Sequence, residues 1–97
     1  MLRHIVMVKF SDRATVAETS EKVKLMLLAL ENSVDSLKRM EVGLNINTLS
    51  SAFDAVLTAD FDDEAGLNHY RSHPDHVKVL GFLKKTIEKS VVVDYWM

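Results

Sequence analysis

Nine residues, "HYRSHPDHV" from His69 to Val77, gather a tyrosine and three histidines around the only proline of the chain. Each of these side chains can move a proton or ligate a metal. Tyr70 and His76 suit enolate chemistry. A histidine titrates near neutrality and can take a proton from carbon beside a carbonyl, while a tyrosine hydroxyl donates a hydrogen bond to the oxygen on which charge develops. Near the start of a helix, His76 would face the positive end of the dipole, which disfavours its charged form. The alternative reading of the pair is structural, as hydrogen-bonded braces of a helix corner. His73 precedes Pro74 and suits the capping or orienting of that turn; it is also carried as a candidate ligand contact. His69 lies off the face of Tyr70 and is expected in solvent. His69, His73 and His76 would align only on one continuous helix, which Pro74 interrupts, and no H-E-x-x-H arrangement is present. No metal site is expected.

The rest of the chain must position these groups. Ninety-seven residues make one domain, residues 1–97, which at this size buries roughly 60–65% of its unfolded surface. Its 47% hydrophobic content is that of a globular protein, and a net charge of −2 with mixed signs lacks the basic stripe of a nucleic-acid binder. With no cysteine, thiolate chemistry and disulfides are excluded. No run approaches the length of a membrane span, and "HIVMVKF" is too short for a signal h-region. A cytoplasmic protein is the expectation, with neither nucleic acid nor membrane as partner.

"HIVMVKF" (4–10) reads as a strand apolar on both faces, with His4, Val6, Val8 and Phe10 on one. Thr15 and Glu18 have the spacing of a capping box. They precede a helix of about 17 residues with Val16, Val23, Leu27, Leu30 and Val34 on its apolar stripe. "LKRMEVGLNIN" (37–47) alternates as a half-exposed edge strand with Met40, Val42, Leu44 and Ile46 inward. "FDAVLTADF" (53–61) is a further strand. Asp62 or Asp63 caps a short helix that ends at His73, and Pro74 opens another presenting Val77, Leu80, Leu83 and Ile87 to the core. "SVVVDYW" (90–96) closes the chain as a fourth strand. The order β-α-β-β-α-β predicts an α+β, ferredoxin-like antiparallel sheet, spatial order 4-1-3-2, with helices on one face. The second apolar face then needs a cover, and a second copy packed sheet against sheet supplies it. A charge on strand 1, such as Val8→Lys, is expected to block that homodimer.

"LRHIVMVKF", "FDAVLTADF", "HPDHV" and "VVDYW" together resemble the stress-responsive A/B barrel domain family over nearly the whole chain. The resemblance implies a dimeric α+β barrel with a cavity in each subunit. A plant polyketide cyclase of the family closes its substrate by aldol condensation without cofactor or metal, using a Tyr and a His in the pattern Y-x-x-H-P-x-H-V. Tyr70, His73, Pro74, His76 and Val77 match every fixed position of that pattern. A histidine near the start of strand 1 lines the cyclase cavity, and His4 occupies that place here. The cyclase has another histidine on strand 3, where this chain has Ala55. The functions in view are therefore a homodimer holding a small apolar ligand, or a cofactor-free cyclase or lyase working on an apolar carbonyl compound through Tyr70 and His76. A monooxygenase of the related dimeric α+β barrel superfamily is a third, for which no residue speaks.

Overall fold

The structure, a computed structural model, describes residues 1–97. Strand β1 (Leu2–Phe10) alternates as its sequence demands: Leu2, His4, Val8 and Phe10 are buried, while Arg3, Ile5, Met7 and Lys9 point the other way. A 3-10 turn at Arg13–Thr15 leads into helix α1 (Val16–Ser33), which buries Ser20, Val23, Leu27 and Leu30. The expected Thr15–Glu18 capping box does not form, and Thr15 makes no side-chain cap bond. Asp12 does the capping one turn earlier, its carboxylate accepting from the Ala14 N–H at 3.0 Å, because the helix is entered through the 3-10 turn.

Strand β2 (Arg39–Leu44) turns Met40 and Val42 inward and ends before Ile46, which is 96% exposed rather than on the inner face as its alternation predicts. Asn45 causes this, since its side-chain carbonyl accepts from the Asn47 N–H and its amide donates to the Asn47 carbonyl, both at 2.8 Å. Such an Asx turn competes with the strand ladder. Strand β3 (Ala55–Phe61) then presents Ala55, Leu57, Ala59 and Phe61 to the core.

Asp63 caps helix α2 (Glu64–Ser72) by accepting from the Gly66 N–H at 2.9 Å. Pro74 opens helix α3 (Pro74–Thr86), with His73 as its cap. The buried stripe of α3 is His76, Val79 and Leu83, not the expected Val77 and Leu80, which are 52% and 39% exposed. Spacing alone admits both faces; the short α2–α3 connection turns the His76 face inward. Strand β4 (Ile87–Trp96) completes the sheet in the order β2-β3-β1-β4, antiparallel throughout. That is the expected 4-1-3-2 order.

Two buried carboxylates fasten the sheet. Asp54 accepts from the Phe10 N–H at 2.8 Å and takes a bidentate pair from the Arg13 guanidinium at 2.7 and 2.9 Å. Asp60 is held the same way by Arg3 at 2.9 and 3.0 Å. In each case the arginine hydrogen bonds keep the carboxyl below its ordinary range.

Strand β4 differs from the others. From Glu88 to Trp96 every residue is exposed. On the face away from the helices Val91, Val93 and Tyr95 stand beside Ile5 and Met7 of β1 and form a continuous apolar strip. Val8 lies on the opposite side, beneath the helices and 5% exposed. A lysine there would damage the protomer core, so the expected Val8 probe of association is replaced by one at Val93. Both faces of β1 are apolar, and alternation could not say which one the helices take.

Candidate functional site

The break at Pro74 lets α3 turn back over the sheet beside α2. A cavity of about 410 Å³ opens between these helices, α1 and strands β1, β3 and β4. Its walls are aliphatic, with Val6, Leu27, Leu57, Val79, Leu83 and Val92 prominent. Five polar or ionisable groups interrupt them: His4, Tyr70, Arg71, His76 and Ser90.

Tyr70 and His76 sit together, their ring centroids 4.2 Å apart at 39°. His4 approaches Tyr70 from across the sheet, edge to face at 6.3 Å. The Tyr70 ring also packs on Phe61 at 5.1 Å and belongs to the core. His76 Nδ1 lies 3.1 Å from the Arg71 carbonyl. A carbonyl only accepts, so Nδ1 carries the proton, and in the neutral ring Nε2 keeps a free lone pair. His4 Nδ1 is bonded to the Asp94 carboxylate, whose second oxygen accepts from Arg71 Nη2 at 3.2 Å.

That leaves three polar atoms without a protein partner: the Tyr70 hydroxyl, His76 Nε2 and His4 Nε2. Yet no buried side-chain nitrogen or oxygen is sealed away unsatisfied. Each therefore keeps some accessible surface, and all three residues line the cavity. Burial sets their chemistry further. It pushes the Tyr70 phenol well above its ordinary value, so the hydroxyl stays a donor. It also pulls the His76 imidazole down, with His4, Arg71 and His73 acting in the same direction against the bond to the Arg71 carbonyl.

The other candidates fall elsewhere. His73 accepts from the Asp75 N–H at 3.1 Å through Nδ1 and caps α3, away from the cavity wall. His69 is exposed, its ring 5.9 Å from that of His73. No three histidine, aspartate or glutamate side chains converge as a ligand set. Ala55 is buried under the helices outside the cavity, whose β3 wall is Leu57. Asp94 and Arg71 were not singled out in the sequence. The signal for Asp94 is register: His4 and Asp94 are directly opposed across β1 and β4, a pairing legible only once both strands are aligned.

Two measurements test this description. Tyr70→Phe is expected to shift folding stability by no more than about 0.5 kcal/mol in urea denaturation, because it orphans no protein partner. A loss of about 1–3 kcal/mol would mean the hydroxyl braces the fold. The pH dependence of stability gives the second. With its folded pKa lowered, His76 adds nothing adverse above its unfolded value near 6.5. As pH falls through that value the unfolded chain takes the proton first and stability declines, until the folded ring also ionises. The Tm of the protein is therefore expected to fall between pH 7 and 5 more than that of His76→Gln. Parallel curves for the two proteins would contradict the assignment.

The architecture defines a class: a ferredoxin-like α+β domain with a half-open cavity beside two helices parted at a proline. The family model for the stress responsive A/B barrel domain matches residues 2–97, and the chain belongs to that family. It is 22% identical over 96 residues to the stress-response A/B barrel domain-containing protein HS1 of Arabidopsis thaliana, covering 97% of this chain and 87% of that protein. Among solved structures, a dimeric protein of ferredoxin-like fold from Bacteroides fragilis superimposes with a TM-score of 0.90 at 28% identity, over 99% of this chain and 95% of the other. A hydroxynitrile lyase from Passiflora edulis shares the fold, with a TM-score of 0.77 at 17% identity over 99% of this chain and 92% of that one.

Proposed function

We propose that this protein is a homodimer whose cavity binds an apolar carbonyl compound and moves a proton on the carbon next to the carbonyl. The observation that carries this is the set of three unpartnered polar atoms on Tyr70, His76 and His4, residues that line one aliphatic cavity. An aliphatic tail fits among Leu27, Leu57, Val79 and Leu83. The carbonyl oxygen accepts from the Tyr70 hydroxyl. His76 Nε2 takes a proton from the neighbouring carbon, and the C–H electron pair passes to the oxygen as an enolate held by Tyr70. Attack of that enolate on a second carbonyl forms a carbon–carbon bond, and the proton returns from His76 to the new alkoxide. Run backwards, the same steps cleave the bond. The Passiflora lyase supports the fold as a host for such chemistry and nothing finer. A monooxygenase remains a reading of fold alone, since no cavity residue selects it.

Association is supported by the uncovered strip of Ile5, Met7, Val91, Val93 and Tyr95 and by the dimeric state of the Bacteroides relative. No helix is long and apolar enough to cross a membrane.

The test is proton exchange. A 1,3-diketone with a pentyl tail, held in deuterium oxide with the protein, is expected to lose the proton between its carbonyls in a saturable reaction faster than in buffer. A diketone that binds without faster exchange would make the cavity a carrier site. One that neither binds nor exchanges would remove the proposal.

A further inference from the structure

The Arg71–Asp94–His4 chain has no place in the proton transfer just described, yet it ends in the same cavity. We infer that Asp94, clamped by Arg71, fixes the tautomer of His4 so that its Nε2 accepts a hydrogen bond from a ligand hydroxyl. The ligand head this selects is a hydroxyl close to a carbonyl, as in a β-hydroxy ketone. The inference deepens the proposed function by naming the substrate class of that site.

The chemistry of the chain leaves little freedom. A guanidinium only donates, so the Asp94 oxygen facing Arg71 must accept. The second carboxylate oxygen also accepts, which requires His4 Nδ1 to carry the proton. In the neutral ring Nε2 then bears the lone pair, and the only side-chain bond His4 makes is through Nδ1. Asp94 and Arg71 are thus positioning residues. Around Tyr70 the cavity offers that hydroxyl as donor and two ring acceptors, His4 Nε2 and His76 Nε2; Arg71 is engaged with Asp94, and Ser90 stands opposite Val8, farther along the sheet. A simple ketone satisfies Tyr70 alone. A β-hydroxy ketone satisfies Tyr70 through its carbonyl and His4 through its hydroxyl, with the carbon between them left to His76.

Asp94→Asn separates this from a purely structural role. The amide must still turn its oxygen to Arg71, which cannot accept, so its NH2 faces His4 Nδ1. That nitrogen must now accept, and the ring proton moves to Nε2. Asp94 is on the exposed edge strand and the replacement is of equal size, so the fold should hold.

The experiment reads tautomer and binding on the wild-type protein and on Asp94→Asn. Nitrogen-15 NMR of His4 is expected to show the proton on Nδ1 in the wild type and on Nε2 in the variant. In parallel, 4-hydroxy-2-nonanone is expected to bind the wild type at least tenfold more tightly than 2-nonanone. In Asp94→Asn that preference should vanish while 2-nonanone binds as before. A wild-type His4 protonated at Nε2, a hydroxy ketone with no advantage, or a preference that survives in Asp94→Asn would each overturn the inference. Neither readout uses turnover, so failure of the exchange assay with these results intact would count against the proposed chemistry alone.

Discussion

A lysine at Val93 is expected to convert the protein into a folded monomer. Val93 is 54% exposed in the protomer, on the face away from the helices and directly opposite Ile5 of β1. The substitution therefore touches no part of the helix-covered core of the single chain. In a two-fold dimer packed through this face, each protomer would bury one unpaired ammonium, and symmetry doubles the effect. Burying a charge without a partner costs several kcal/mol, and each increment of about 1.4 kcal/mol weakens association tenfold. Sedimentation at micromolar concentration should report twice 11.0 kDa for the wild type and 11.0 kDa for Val93→Lys. Leu25→Lys, on the exposed side of α1, should remain dimeric. A wild type that sediments as a stable monomer, or a Val93→Lys that stays dimeric, defeats the sheet-against-sheet arrangement.

The second large effect belongs to the cavity. His76→Gln removes the imidazole nearest to Tyr70, and positioned general bases contribute about 10²–10⁴-fold. Diketone exchange should fall by that factor. Tyr70→Phe removes one hydrogen bond to the developing enolate and is expected to lose about 10²–10³-fold, the range for a single oxyanion donor. The two groups act on one transition state, so the double variant should lose far less than the product of the single losses. Binding of the diketone should survive in both variants, because the aliphatic wall is untouched. Exchange that persists undiminished in His76→Gln would move the base elsewhere, and loss of binding in Tyr70→Phe would make Tyr70 a ligand anchor only.

Much of this was legible in the residues. Strict alternation in "LRHIVMVKF" and "FDAVLTADF" fixes which side chains share a face, and Pro74 marks where one helix must stop and the next begin. The motif spacing brings Tyr70 and His76 together on the two sides of that break, and the structure puts their rings in contact. What sequence spacing leaves open is the choice between equivalent surfaces. Val8 and Met7 are both apolar, and only packing decided that Val8 meets the helices. Val77 and His76 are neighbours on α3, and hydropathy favours the wrong one as the buried residue. Illegible for a different reason were the long-range polar bonds. The partners of Asp54, Asp60 and Asp94 lie 41, 57 and 90 residues away, and no local rule pairs them.

The double membership of Tyr70 bears on how such a domain changes over generations. Its ring wedges against Phe61 and is selected for folding, whatever the cavity does. Its hydroxyl makes no hydrogen bond to the protein and is expected to contribute little to that task. Phenylalanine is therefore neutral for the fold, one nucleotide change away and open to drift. In a lineage where the cavity has fallen idle, the ring should stay and the oxygen should go. A descendant that keeps the oxygen keeps it for a ligand.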